Sequence, residues 1–286
     1  MTLRIAAVQM TSGADKAANL AQAETLIARA AESGAQLVAL PELWTYLGPT
    51  EGAIPNAEPI PGPTTERLAA LARRYQITLH CGSMLERADD PADDPRPYNT
   101  AVVLDHNGQI IANYRKIHLF DADPFGSTAP YRESDGIQPG SEIVTCEAEG
   151  LQIGIATCYD LRFPELFRIL ALRGAQLIIM GSAFTMQTGR DHWEVLVRAR
   201  AIENGVYLLA PDQVGAHPPK RLAYGRSLIV DPWGTVLAQA PDLPGVITAE
   251  MSLERLADVR RQIPSLANRQ PQAYRWVEET VAGAAR

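Results

Sequence analysis

Three reactive side chains each stand just beyond a predicted strand. Glu42 closes Leu40-Pro41-Glu42, Lys116 follows the strand at 109–115, and Cys158 follows the strand at 151–157. Ligand sites of α/β sheets collect at the carboxyl ends of strands, so a carboxylate, an ammonium and a thiol can converge there. Together they have the parts for acyl transfer. A free thiol ionises near pH ~8.5 and gains from a base or a cation beside it. Glu42 can take the thiol proton and later activate water. Lys116 can hold the negative charge of a tetrahedral intermediate, helped by the backbone N–H of Tyr159.

The stretch around the thiol, Gly154 to Glu165, reads GIATCYDLRFPE. An apolar run ends at Thr157-Cys158, and Pro164 marks the first turn of a helix. Strand, tight turn and helix place Cys158 on a stiff backbone at a crevice. Helix N-terminal dipoles and backbone N–H groups there would favour a thiolate. Each residue also has a plainer role open to it. Cys158 can be a small buried hydrophobe, Glu42 a helix cap or surface acid, and Lys116 a snorkelling side chain at a strand end.

The elements that must hold these groups follow from periodicity. Strands are predicted at 3–9, 36–40 and 77–81, and helices at 19–33 and 64–75. A hairpin spans 99–115 around Asn107-Gly108. Strands at 143–146 and 151–157, a helix at 165–173, a strand at 176–180 and a helix at 189–203 follow. Strands at 206–211, 224–230, 235–240 and 246–251 precede a last helix at 252–262, with Ser252 as its N-cap. Residues 120–140 read as a long aperiodic loop, and such loops are usually functional or disordered. The order repeats: Gly34-Ala35-Gln36-Leu37-Val38 matches Gly174-Ala175-Gln176-Leu177-Ile178, and the turn at 105–108 matches that at 231–234. Two such sheets, each with helices on one face, bury their free faces against each other. The expected fold is α/β, a four-layer α-β-β-α sandwich of two internally repeated halves. It forms one domain over residues 1–286, with 263–286 as a C-terminal arm.

Composition narrows the function. The 286 residues carry a net charge of −7 with both signs interspersed, which argues against a nucleic-acid partner. Apolar runs are strand-sized, so no membrane span is expected, and the N-terminus lacks a signal-peptide pattern. Three cysteines without CxxC spacing suggest reduced thiols in a cytoplasm and no zinc site. Cys81 and Cys146 lie inside apolar strands and read as core. Trp193, Trp233 and Trp276 read as packing or turn residues. Gly181-Ser182-Ala183-Phe184 lacks the second glycine of a serine nucleophile elbow.

Leu40-Pro41-Glu42, Tyr114-Arg115-Lys116-Ile117-His118-Leu119-Phe120-Asp121 and Cys158-Tyr159-Asp160-Leu161-Arg162-Phe163-Pro164-Glu165 resemble the three motifs of the nitrilase (carbon–nitrogen hydrolase) superfamily. The resemblance runs from Leu3 to about Tyr274 and includes Gly189-Arg190-Asp191-His192-Trp193-Glu194-Val195 and Asp231-Pro232-Trp233-Gly234. It implies a catalytic site of Glu42, Lys116 and Cys158, a thioester intermediate, no cofactor, and homodimers or larger assemblies built by helix packing. Glu133 falls on a second glutamate often counted with that site. Cys158-Tyr159-Asp160 is similar to the Nit branch, the omega-amidases and deaminated-glutathione amidases, where true nitrilases usually show Cys-Trp-Glu. Arg162, Phe184 and Thr188 fall on positions that hold the substrate carboxylate, and Tyr159 is grouped with them. Gly189-Arg190-Asp191-His192 departs from that branch's common Gly-Pro-Ala-His. The resemblance implies an amidase that hydrolyses a small carboxylate-bearing amide with release of ammonia. Deaminated glutathione or omega-amides such as α-ketoglutaramate are the expected substrates. Rivals are a nitrilase or carbamoylase on the same fold, a non-catalytic binding protein and a redox-sensing thiol protein.

Overall fold

A strand buried on both faces needs a cover on both, and β1 (Thr2–Gln9) is such a strand. Its Leu3, Ile5 and Ala7 join one apolar cluster, and Ala6 and Val8 join another. The computed structural model describes residues 1–123, 131–218 and 221–274. In the first half, β1 is followed by α1 (Lys16–Glu32), β2 (Leu37–Ala39), α2 (Ala53–Asn56), α3 (Pro63–Tyr75), β3 (Thr78–Glu86), β4 (Tyr98–Leu104) and β5 (Ile110–Arg115). The short strands β6 (Asp121–Ala122) and β7 (Tyr131–Arg132) link the halves. The second half holds β8 (Thr145–Ala148), β9 (Leu151–Thr157), α4 (Pro164–Leu172), β10 (Leu177–Gly181), α5 (Met186–Asn204) and β11 (Tyr207–Ala210). It continues through β12 (Val214–His217), β13 (Arg221–Tyr224), β14 (Leu228–Val230), β15 (Val236–Gln239), β16 (Gly245–Ser252) and α6 (Leu253–Gln262).

Two six-stranded sheets result, ordered β16-β1-β2-β3-β4-β5 and β8-β9-β10-β11-β14-β15. Strand by strand they share one pattern: an antiparallel edge pair, two parallel pairs, then two antiparallel pairs. The repeat in the sequence is therefore a repeat of topology, and β2 and β10 are equivalent strands. The inner faces meet in one core that includes Ile5, Leu37, Val103, Ile153, Leu177 and Leu209. The outer face of the first sheet carries α1 and α3 through Leu26, Ile27, Leu68 and Ala72. That of the second carries α4 and α5 through Leu166, Phe167, Trp193 and Val197. This is the expected four-layer sandwich. Cys81 and Cys146 are core residues, and burial pushes both thiols up, Cys146 to about 11.

Local differences have physical reasons. Helix α1 starts at Lys16 because Asp15 Oδ1 accepts the Ala17 and Ala18 amides at 3.0 and 3.1 Å, a polar cap that apolar spacing does not register. Strand β3 continues to Glu86 past a register shift at Gly82, where φ is +61° and a Cβ would lie 2.1 Å from the Pro41 carbonyl oxygen. The expected strand at 224–230 is broken by positive φ at Gly225 and Arg226, and its first part pairs instead with β12. The loop at 120–140 is partly built: β6 pairs with β7, and a 3-10 turn covers Glu133–Asp135. Ser252 caps α6 as expected, accepting the Arg255 amide. Residues 263–274 contain one 3-10 turn, Pro271–Ala273. The rest of the expected arm, with Trp276, lies outside the described residues.

Candidate active site

Equivalent strands β2 and β10 end beside each other. No side chain separates them at Gly181, where a Cβ would stand 3.1 to 3.3 Å from Leu40 O, Pro41 C and Glu42 N. The Glu42 amide donates to Ser182 O at 3.3 Å, and Gln213 Nε2 donates to Glu42 O at 3.1 Å. Beyond it, Leu43 takes a positive φ of 48°, and its amide donates to Ser83 Oγ at 3.0 Å. The Glu42 backbone is thus clamped from both sheets. Its side chain is buried, with each carboxylate oxygen bonded. Oε1 accepts from Lys116 Nζ and from Asn99 Nδ2, both at 2.9 Å, and Oε2 accepts from the Ala183 amide at 2.9 Å.

Lys116 follows β5 directly, and its side chain is 2% exposed. Its ammonium lies between two carboxylates, 2.9 Å from Glu42 and 2.7 Å from Glu133. Burial by itself would lower its pKa, but the charges of Glu133 and Glu42 outweigh that and raise it well above 10.5. Glu133 is held in turn by the Phe120 amide on Oε2 at 2.6 Å.

Cys158 is the first residue after β9 and has φ +45°, the left-handed region that L side chains avoid. The anchor of this turn is Asp160, fully buried. Its Oδ2 accepts from Tyr114 Oη at 2.6 Å and from the Thr157 amide at 2.8 Å. Its Oδ1 faces the His118 ring nitrogen Nδ1 at 2.6 Å and the His118 amide at 3.3 Å. The His118 ring stacks on Phe163 at 3.6 Å. One carboxylate therefore ties β5, the segment after Lys116 and the Cys158 turn together. The thiol is buried, and burial first and the Glu42 carboxylate second push its pKa well above 9.0; Lys116 and the Ala183 amide pull the other way. This corrects the expectation of a thiolate. Residues 158–162 form a 3-10 turn that opens at Cys158, and α4 begins only at Pro164, so the thiol does not sit at the N-terminus of that α-helix. The resting group is a thiol with a carboxylate base against it.

One cleft joins these groups to all of the other expected site residues. Glu42, Lys116, Glu133, Cys158, Tyr159, Arg162, Phe184 and Thr188 all line it. Arg162 is half-buried, with its guanidinium 5.4 Å from the Phe184 ring and 5.9 Å from the Tyr159 ring. It stands 3.3 Å from His192 Nδ1 and, among the described residues, forms no ion pair with Asp160 or Glu165. Phe184 packs on Trp193, and Thr188 shares a 2.7 Å hydrogen bond with Thr185. Arg190 and Asp191 pair with each other at the surface and do not line the cleft. Sequence reasoning missed Asn99, the anchoring role of Asp160, and Asp212. The last is buried, and its Oδ1 accepts the Phe184 amide at 2.9 Å, which fixes the backbone beside Ala183. A polar Asn99 inside an apolar strand was the one available signal.

An α-β-β-α sandwich with a buried thiol, carboxylate and ammonium at its strand ends defines a class, enzymes that hydrolyse the carbon–nitrogen bonds of amides. Residues 4–261 match the carbon–nitrogen hydrolase family model, and the chain belongs to that family. It is 42% identical over 268 residues to a deaminated glutathione amidase of Synechocystis, covering 92% of this chain and 97% of that one. It is 40% identical over 271 residues to omega-amidase NIT2 of Xenopus tropicalis, covering 95% and 96%. Among solved structures it is similar to Saccharomyces cerevisiae Nit3, a member of branch 10 of the nitrilase superfamily. That match has a TM-score of 0.84 and 32% identity, with 95% of this chain and 97% of that chain covered.

Proposed function

We propose that the protein hydrolyses a small carboxylate-bearing amide through a thioester on Cys158. Cys158 Sγ attacks the carbonyl carbon while Glu42 takes the thiol proton. Lys116 holds the oxyanion of the tetrahedral intermediate. Collapse breaks the carbon–nitrogen bond, and Glu42 returns the proton to the departing amine, which is ammonia for a primary amide. Water then attacks the thioester carbon while Glu42 takes its proton; collapse breaks the carbon–sulfur bond, Glu42 returns the proton to Cys158 Sγ, and the acid product departs from the regenerated thiol. Glu133 keeps Lys116 charged and in place. Arg162, over Tyr159 and Phe184 and in the same cleft as Thr188, receives the substrate carboxylate, since its guanidinium forms no ion pair among the described residues and can exchange its contact with His192 Nδ1 for a planar fork on that carboxylate. The observation that carries this reading is a buried carboxylate held at Oε1 by Lys116 Nζ and at Oε2 by the Ala183 amide, both at 2.9 Å, in one cleft with the buried Cys158.

Intact-protein mass measured after rapid quenching with α-ketoglutaramate tests it. The expected result is an acyl adduct that maps to Cys158 and is absent from Cys158→Ala. Turnover by the Cys158→Ala protein would overturn the mechanism.

Helices α4 and α5 support a homodimer formed through the outer layer, because Ile169, Leu172, Val195 and Ile202 are all more than a third exposed. Light scattering of Val195→Lys/Ile202→Lys should then give half the wild-type mass. Three free, buried cysteines support a reducing compartment such as the cytoplasm. The return of β16 from the end of the second half to pair with β1 supports one domain. No helix among the described residues is long and apolar enough to cross a membrane.

A further inference from the structure

The protein is acidic, with a net charge of −7, yet its cleft is not. Four cations, Lys116, Arg132, Arg162 and Arg221, line it against two carboxylates, Glu42 and Glu133. Lys116 is committed to both carboxylates. Arg132 lies opposite Asp121 across the β6–β7 pair and lowers the pKa of that acid, after its bonds from Ser134, against a desolvation that raises it. That leaves Arg162 and Arg221, neither of which forms an ion pair among the described residues. A cleft with two guanidiniums that no carboxylate among the described residues pairs, in an acidic protein, concentrates anions.

The two are set at opposite ends of a row of rings. Arg162 lies 5.9 Å from the Tyr159 ring. Tyr159 contacts Phe120 at 5.0 Å, and Phe120 contacts Tyr131 at 5.1 Å. Arg221 then lies 5.9 Å from the Tyr131 ring. Arg221 opens β13, opposite His217 of β12. His217 Nδ1 faces Ser12 O at 2.6 Å, and burial, with the Arg221 charge, holds its pKa below the usual imidazole value. Cys158 precedes Tyr159, so the scissile carbonyl lies near the Arg162 end. A chain that reaches Arg221 from there can run along these rings, whose two steps of 5.0 and 5.1 Å together span at most about three extended residues.

We infer that Arg221 forms a second carboxylate site at the far end of the Tyr159–Phe120–Tyr131 row. The preferred substrate is then an extended amide with a carboxylate on its acyl part and another on its leaving amine. This rests on the reading of Arg162 given above. It also separates two kinds of amide: a primary omega-amide carries nothing to Arg221, whereas an amide of a short peptide does. Deaminated glutathione, the substrate in the name of the Synechocystis relative, has a carboxylate at each end in this way.

Three probes test it: the omega-amide of 2-oxoglutarate with glycylglycine, the same compound with its terminal carboxylate blocked as a carboxamide, and the primary amide. Wild-type enzyme should favour the free over the blocked peptide amide by about tenfold in kcat/KM, chiefly through KM, the size of one charge-assisted contact at a partly solvated site. Arg221→Gln should abolish that preference and leave the primary amide within about twofold of wild type. Arg221→Lys, which keeps the charge, should retain part of it. Equal wild-type rates on the free and blocked compounds, or an undiminished preference in Arg221→Gln, would overturn the second site. Arg162→Met distinguishes the two readings. It should depress all three probes, and if it does not, the Arg162 reading fails whatever Arg221 does.

Discussion

The backbone amide of Ala183 donates to Glu42 Oε2 over 2.9 Å, so the carboxyl end of β10 holds the side chain at the carboxyl end of its equivalent strand, β2. The candidate base therefore belongs to both halves, and its position depends on how closely the two sheets approach. That approach is set at Gly181. A methyl group there meets backbone atoms, which cannot swing aside as a long side chain can. Gly181→Ala should move the strand ends apart by a few tenths of an ångström and strain the Ala183–Glu42 bond. The expected outcome is a fall in kcat of about tenfold or more, since small misplacements of catalytic groups are costly, with KM changed little. Steady-state kinetics on a primary amide check it. Wild-type kcat would show that the strand ends have slack.

A second test concerns Asp160, whose two oxygens serve Tyr114, the Thr157 amide and His118. Asp160→Ala leaves two buried donors, Tyr114 Oη and the Thr157 amide, and the half-buried His118 without their acceptor, and should destabilise the protein by about 3 kcal/mol or more in urea denaturation. Tyr114→Phe removes one of the contacts and should cost about 1–2 kcal/mol. In the double mutant the second change should cost less than it does alone, because the partners share one network. Strict additivity would show that the Tyr114 hydroxyl and Asp160 act separately.

The parts of this site that the sequence made legible are those fixed by local position. Glu42, Lys116 and Cys158 each follow an apolar strand, and strand ends can be read from pattern. Asn99, Ala183 and Asp212 were not visible because their roles depend on which strands become neighbours. Asn99 reaches Glu42 only because β4 leads the chain back past β3, and Ala183 only because two strands more than a hundred residues apart end together. Pairing of β16 with β1 is hidden for the same reason: alternation shows that a strand exists but not its partner. The thiolate expectation failed first on burial and then on charge. Local sequence showed an approaching helix but not how deeply the turn buries the thiol.

Acid stability should trace in part to His80. It is fully buried in β3, its Nδ1 accepts the Gly82 amide at 3.2 Å, and burial lowers its pKa from 6.5 to about 4. Between those values the unfolded chain binds a proton that the folded chain refuses, so stability is lost as pH falls from 6.5 to 4 and changes no further on this account below that. The loss is at most about 3 kcal/mol, taking 1.36 kcal/mol per unit. His80→Gln does not titrate and should flatten the dependence of the urea midpoint on pH across this window. An unchanged slope would place the acid sensitivity elsewhere.

The charge arrangement around Cys158 can be read through its reactivity. Burial and the Glu42 carboxylate raise the thiol pKa, while Lys116 and the Ala183 amide lower it. Glu42→Gln keeps the shape and removes the negative charge, so the thiol should ionise at lower pH than in wild type. Lys116→Met removes the positive charge and should move it higher. The pH dependence of alkylation by iodoacetamide, with the labelled cysteine located by mass, measures both. At pH 8 the expected order of rates is Glu42→Gln, then wild type, then Lys116→Met. Turnover should not follow that order. Each variant should lose about 10²–10³ in kcat, one through the missing base and the other through the missing oxyanion charge. A more readily ionised thiol in a protein that no longer hydrolyses amides would separate the two tasks of Glu42, holding the thiol protonated at rest and removing its proton on attack. If Glu42→Gln reacts no faster than wild type at pH 8, the carboxylate does not govern the thiol, and the base must be sought elsewhere in the cleft.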